Sequence, residues 1–206
     1  GVDPGSRMTG VGIIEVNGDR VIPVYFEPIK AGNGEFTERL GTIFTGLQEL
    51  IKEYQPDQAA IETVFVANNA ASAIKLGQAR GACVTALVHK ELAVHEYTAL
   101  QLKKAVAGHG RAGKAEVQQM VMRLLNLAEQ PQEDAADALA TAGAHALLRQ
   151  SDETPAPPVG QQLGAFKCLF ADSPRIESVV RLPRAPMARE LLSRARGGGG
   201  EGNRVR

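Results

Sequence analysis

The sequence predicts an α/β fold: a mixed five-stranded sheet flanked by helices on both faces. The order of its segments carries this reading, with three strand-like runs, a helix, a strand, a long helix, a strand and then helices. Asn17-Gly18-Asp19 between VGIIEV (11–16) and RVIPVYF (20–26) is a hairpin turn, so part of the sheet is antiparallel. The strand–helix alternation that follows is the pattern of parallel neighbours.

Each element has a local signal. A short apolar strand runs into Asp3 and a Pro-Gly turn. From Glu35 to Tyr54, Phe36, Leu40, Ile43, Phe44, Leu47, Leu50, Ile51 and Tyr54 fall on one helical stripe, and Pro56-Asp57 ends it. Residues 58–63 read as a buried strand ending AAIET. Asn68 to Glu91 is a long helix, and LAVHEY (92–97) a short strand. Thr98 is an N-cap for a helix through Ala107. Gly108, Gly110 and Gly113 form a loop before a helix at 114–127. Pro131 opens the last helix, which runs to about Gln150.

At 206 residues with 44% apolar content, the chain holds a sizeable core in residues 1–150. Residues 151–206, with TPAPPVG and four consecutive glycines, read as a largely flexible extension. Formal net charge is zero, with 14 Lys/Arg against 17 Asp/Glu in residues 1–150. Nucleic-acid binding therefore needs a local basic patch. Residues 103–123 supply one: Lys103, Lys104, Arg111, Lys114 and Arg123 against Glu116 alone. Cys83 and Cys168 form no disulfide framework, and Cys83 reads as a small core residue. No apolar run is long enough for a membrane span, and a reduced cytoplasmic protein is expected. The chain starts almost on its first strand without Met, so a few residues are expected before Gly1.

Four carboxylates, Asp3, Glu62, Asp134 and Asp137, carry the chemistry. Taken singly, three have plain explanations. Asp3 suits a turn before Pro-Gly, and Asp134 and Asp137 suit the first turns of a helix, where negative charge complements the dipole. Glu62 is harder to dismiss, because a carboxylate closing a buried strand is costly unless paired or metal-bound. Two like charges ~4 Å apart repel by roughly 4 kcal/mol at an effective dielectric near 20. A fold that gathers all four therefore needs divalent cations, and oxygen donors suit Mg²⁺ or Mn²⁺. His89, His95, His109 and His145 show no paired metal-ligand spacing.

VDPGSRMTG (2–10), IETVFVANNAASAIKLGQARG (61–81), GKAEVQQMV (113–121) and EDAADALA (133–140) together resemble the RuvC-type Holliday-junction resolvases of the RNase H-like superfamily. The resemblance covers residues 1–150 and stops there. It implies that Asp3, Glu62, Asp134 and Asp137 are catalytic metal ligands, the all-carboxylate variety where some relatives carry a histidine at the place of Asp134. It implies two-metal phosphodiester hydrolysis with two Mg²⁺ per site, Mn²⁺ substituting. Asp3 would be shared, Glu62 would serve the leaving 3′ oxygen, and Asp134 and Asp137 the attacking water.

Lys103 and Lys114 match the family's lysines near the scissile phosphate. Phe65 matches an aromatic that stacks on an unpaired base, an interaction worth ~1–3 kcal/mol. Arg7, Lys75, Arg80, Lys104 and Arg111 are expected to add DNA-backbone contacts. Ala73, Gly77 and Gly81 make a small-residue stripe, and the family is a homodimer through this region, which suits two symmetric cuts in four-way junction DNA. RuvA and RuvB are the partners the resemblance implies, in the bacterial cytoplasm. Three rivals stand beside it. An actin-like ATPase needs a second D-x-G loop and an adenosine-binding glycine pair, neither of which is present. A non-catalytic junction-binding module predicts a broken acid set. A related RNase H-like nuclease with another substrate is the closest competitor.

Overall fold

A computed structural model describes residues 1–18, 20–63 and 69–153 of the chain, with side chains through residue 150. The elements are β1 (Val2–Asp3), β2 (Met8–Asn17), β3 (Arg20–Phe26), β4 (Ile29–Lys30), α1 (Phe36–Tyr54), β5 (Gln58–Glu62), α2 (Ala70–His89), β6 (Ala93–Tyr97), α3 (Ala99–Ala107), α4 (Lys114–Leu124) and α5 (Glu133–Glu153). The expected extension at 151–206 lies outside the described residues except for the end of α5, as do Phe65 and Cys168.

The sheet runs β3-β2-β1-β5-β6, with β4 paired to β2 as a short sixth strand. β1 is antiparallel to β2 and parallel to β5, and β5 is parallel to β6. The predicted mixed sheet is the observed one. Helices cover both faces, and strand alternation divides the core between them. Val2, Val11, Ile13, Ala59 and Ile61 face α1 and α2, where Ile43, Leu47, Cys83 and Leu87 pack. Ile14 and Phe26 face the other side, against Leu102, Val121, Leu139 and Ala144 of α3, α4 and α5. Cys83 is fully buried, as a small core residue should be.

Local chemistry sets the ends of these helices. Thr98 caps α3 by accepting from the Gln101 N–H, with Gln101 reciprocating, and Gly108 closes it at φ +81°. Asn69 caps α2 by accepting from the Ser72 N–H at 3.2 Å. Several expected bounds differ from the structure: the last helix begins at Glu133, two residues past Pro131, and α2 ends at His89 instead of Glu91. The predicted helix at 114–127 stops at Leu124, because Asn126 turns left-handed at φ +48°. Leu125 and Leu127 still pack into the second core, so the apolar spacing outlasts the helix. β2 begins at Met8, three residues before the predicted start, since Gly10 and Gly12 weaken the strand signal.

Those two glycines set how α5 meets the sheet. A Cβ on Gly10 would lie 2.0 Å from the Asp134 carbonyl oxygen, and one on Gly12 would lie 2.8 Å from the Leu139 nitrogen. Only a bare backbone lets the helix sit this close. Gly41 on α1, by contrast, has open space where its Cβ would be. We expect Gly10→Ala to cost roughly 1–3 kcal/mol as overpacking, and Gly41→Ala to leave stability equal or up to about 1 kcal/mol higher as a helix gain. Thermal melts of the two variants check this pair; equal effects would contradict the close-approach account.

Candidate active site

The strand register builds the site. Val2 pairs with Ile61 across the parallel β1/β5 contact, which sets Asp3 beside Glu62 one residue on. Val2 and Ile61 point into the α1/α2 core, so alternation turns Asp3 and Glu62 to the opposite face. That is the face α5 covers, and its first turns carry Asp134 and Asp137 at i and i+3. The glycine contact at Asp134 brings those turns down onto β2, the neighbour of β1.

The loop after Asp3 is tightly held. The buried Thr9 hydroxyl donates to the Gly5 carbonyl at 2.9 Å, and Arg39 Nη1 donates to the Ser6 carbonyl at 3.0 Å. The Ala31 N–H donates to the Arg7 carbonyl at 2.9 Å. A Cβ on Gly5 would meet the Met8 carbonyl oxygen at 1.9 Å, so the tight turn demands glycine. Beyond Glu62, the Thr63 N–H donates to the Tyr97 carbonyl at 2.8 Å and pins β5 to β6.

Electrostatics register the gathering of the acids. Burial, then the charges of Asp137, Glu62 and Asp134, push the Asp3 carboxyl up from its ordinary range to about 7, against a pull from Lys114. Burial and Asp137 raise Glu62 as well, opposed by Lys103 and Lys114. All four acids and both lysines thus act within one field. Lys114 Nζ bonds Asp137 Oδ2 at 2.8 Å and Glu133 Oε1 at 2.5 Å. Among the described residues, no three His, Cys, Asp or Glu side chains already converge as a finished metal cage. Burial, reinforced by the neighbouring acids, favours the neutral form of Asp3, and a donor set of oxygens alone is the kind hard divalent cations take.

The expected DNA contacts separate into groups. Lys103 is half-buried and close enough to act on Glu62, while Arg7, Lys75, Lys104 and Arg111 are exposed. Arg80 stands apart from the other expected contacts. Its side chain is only 20% exposed, its Nε donates to the Glu62 carbonyl at 3.2 Å, and its guanidinium pairs with Glu96 of β6. It ties α2 to the ends of β5 and β6 and braces Glu62 from behind instead of facing solvent. Two contributors escaped the sequence reading: Glu133, which shares Lys114, and Glu96, which holds Arg80.

The histidines lie elsewhere. His145 bonds the Tyr97 hydroxyl through Nδ1 at 2.8 Å and Gln58 Oε1 through Nε2 at 2.9 Å. Burial, with His95 nearby, lowers its pKa to about 4. A cavity of about 590 Å³ sits at the opposite end of the parallel strands, lined by Gly1, Gln58, Ala60, Tyr54 and His145, with none of the four acids in its wall.

Comparison with known proteins gives the following. A family model described as crossover junction endodeoxyribonuclease RuvC matches residues 1–145. Crossover junction endodeoxyribonuclease RuvC of Citrifermentans bemidjiense is 58% identical over 147 residues, which is 71% of this chain and 90% of that protein. The Dechloromonas aromatica protein of the same description is 56% identical, over 71% of this chain and 82% of its own. The structure of Thermus thermophilus RuvC in complex with Holliday junction substrate superimposes with TM-score 0.70 at 34% identity, covering 74% of this chain and 94% of that one.

The pH behaviour of the metal-free protein follows from Asp3. Its folded pKa, about 7, lies above its ordinary value of 3.8. The folded state therefore keeps this proton where the unfolded chain has lost it. Stability from this group is full below about pH 4 and is lost as pH rises through about 7, at about 1.4 kcal/mol per unit. In chelator, melting temperature should fall between pH 5 and pH 8, and Asp3→Asn should flatten that fall and melt several degrees higher at pH 8. Identical pH profiles for the two proteins would refute the clustering of charge at Asp3.

Proposed function

Since the chain belongs to the RuvC family of crossover junction endodeoxyribonucleases, we propose that Asp3, Glu62, Asp134 and Asp137 form the centre with which it cuts four-way junction DNA. The RNase H-like sheet supplies the frame. One observation carries the assignment. The β1/β5 register sets Asp3 and Glu62 side by side on the face that the first turns of α5 close with Asp134 and Asp137.

These four carboxylates would hold two Mg²⁺ ions, or Mn²⁺ in their place, which when bound would supply Lewis acidity toward the scissile phosphodiester. The chain's own groups do the rest. Asp3, whose carboxyl feels the charges of the other three acids, would be the central ligand. Lys103 and Lys114 present ammonium groups to the scissile phosphate and offset the charge that grows on it. Arg7, Lys75, Lys104 and Arg111, all exposed, hold the DNA backbone around it. Phe65, three residues past Glu62, stacks on a base opened at the crossover. Arg80 acts behind the site, holding the end of β5 so that Glu62 keeps its place.

The second copy docks on α2. Ile74 is 63% exposed there, and Gly77 and Gly81 leave open space at their Cβ positions. A two-fold pair of sites makes two symmetric nicks and leaves ends a ligase can seal. RuvA and RuvB complete the assembly in the bacterial cytoplasm; no helix among the described residues is long and apolar enough to cross a membrane. The alternative is a related RNase H-like nuclease with another nucleic-acid substrate, since the acids specify the chemistry more firmly than the DNA shape.

With Mg²⁺, the protein should convert a synthetic mobile four-way junction into two ligatable duplexes while sparing linear duplex. Asp3→Asn should abolish cutting, at least about 10³-fold as for loss of an essential catalytic interaction, yet keep junction binding in a mobility-shift assay. Equal cutting of junction and linear duplex would remove the junction assignment and leave a nuclease.

A further inference from the structure

Lys114 is an odd choice for its position. It is the first residue of α4, where the helix dipole disfavours a cation. Its ammonium nonetheless lies between two carboxylates, Glu133 at 2.5 Å and Asp137 at 2.8 Å. Those acids are four residues apart on α5, so they share a face and repel one another. Lys114 relieves that repulsion. The two partners are not equivalent, however. Asp137 lies within the acid cluster and raises both Asp3 and Glu62, whereas Glu133 acts on neither. Glu133 is also the more open, 69% exposed against 30% for Asp137.

We propose that Lys114 is the exchangeable counter-ion of the unloaded site and that Glu133 is its second anchor, a positioning residue that keeps the ammonium at the site when Asp137 turns to a divalent cation. This rests on the four acids being the metal centre. In the unloaded protein, Lys114 Nζ neutralises Asp137. When a cation takes that carboxylate, the ammonium loses one of two contacts and pivots on Glu133. It stays tethered at the edge of the cluster, and from there it reaches a DNA phosphate. The lysine is therefore a competitor for the first event and an aid to the second. Half-exposed pairs of this kind are weak enough to exchange.

A double-substitution cycle read by calorimetry tests this. Mn²⁺ or Mg²⁺ is titrated into the full chain without DNA, for the parent, Lys114→Met, Glu133→Gln and the double variant. Both substitutions are close in size and lie at exposed positions, so the fold is kept. Coupling across contacting groups of about 0.5–3 kcal/mol corresponds to the following expectations. Lys114→Met tightens cation binding about 5-fold or more while slowing junction cleavage. Glu133→Gln weakens cation binding about 3-fold or more, because the lysine then rests on Asp137 alone. In the Lys114→Met background, Glu133→Gln changes affinity by less than about 2-fold.

Equal effects of Glu133→Gln in both backgrounds would overturn the exchange, since Glu133 would then act on the cation directly through its charge. So would unchanged or weaker binding in Lys114→Met. Asp3→Asn separates the two levels of the argument. If the parent takes up cation and Asp3→Asn does not, an additive cycle sinks the exchange alone; if Asp3→Asn binds cation as the parent does, the metal centre and the exchange fall together.

Discussion

The closeness of helix α5 to strand β2 is the constraint on which the site depends. Gly10 and Gly12 let the helix backbone lie where any side chain would intrude. That contact fixes the height of Asp134 and Asp137 above the sheet. The β1/β5 register fixes Asp3 and Glu62 beneath them. Neither half makes a site alone, because two acids on a sheet face or two on a helix turn are unremarkable features. Their meeting adds like charge to a carboxyl that burial already disfavours in its ionised form, and the Asp3 pKa is raised to about 7.

The surroundings answer that charge in two ways. Lysines 103 and 114 lower the cost from the solvent side, each pulling the Glu62 carboxyl back toward ionisation. From behind, Arg80 and Thr63 hold backbone, and so keep the strand end in place without adding a ligand. The acids are thus held by rigid elements while the cations around them sit on longer side chains. This division suits a centre whose carboxylates stay put while counter-charges come and go with the reaction.

Much of this was legible in the sequence, for identifiable reasons. The mixed sheet followed from the Asn17-Gly18-Asp19 turn and the later strand–helix alternation, while the order of its strands is given only by the fold. The four acids stood out because Asp3 and Glu62 close strands, Asp134 and Asp137 share a face early in a helix, and their separations match a known family. Other features were hidden because they depend on which segments meet. Arg80 reads like a free cation within IKLGQARG until Glu96, sixteen residues on, is seen across from it. Glu133 looks like a helix-start acid, and nothing local says that the start of α4 lies against it. The glycines at 10 and 12 carried a signal, since glycine inside a strand marks close backbone approach; what approaches is given only by the fold. β4, two residues long, is too short to show a period.

The most direct test of the central claim is to locate cations on the folded chain. Crystals grown in Mn²⁺ and measured at its absorption edge should show anomalous peaks about 2.0–2.2 Å from oxygens of Asp3, Glu62, Asp134 and Asp137, with Asp3 touching two of them about 3.5–4 Å apart. Peaks confined to His95 and His145, or to scattered surface carboxylates with Lys114 still seated on Asp137, would contradict the account.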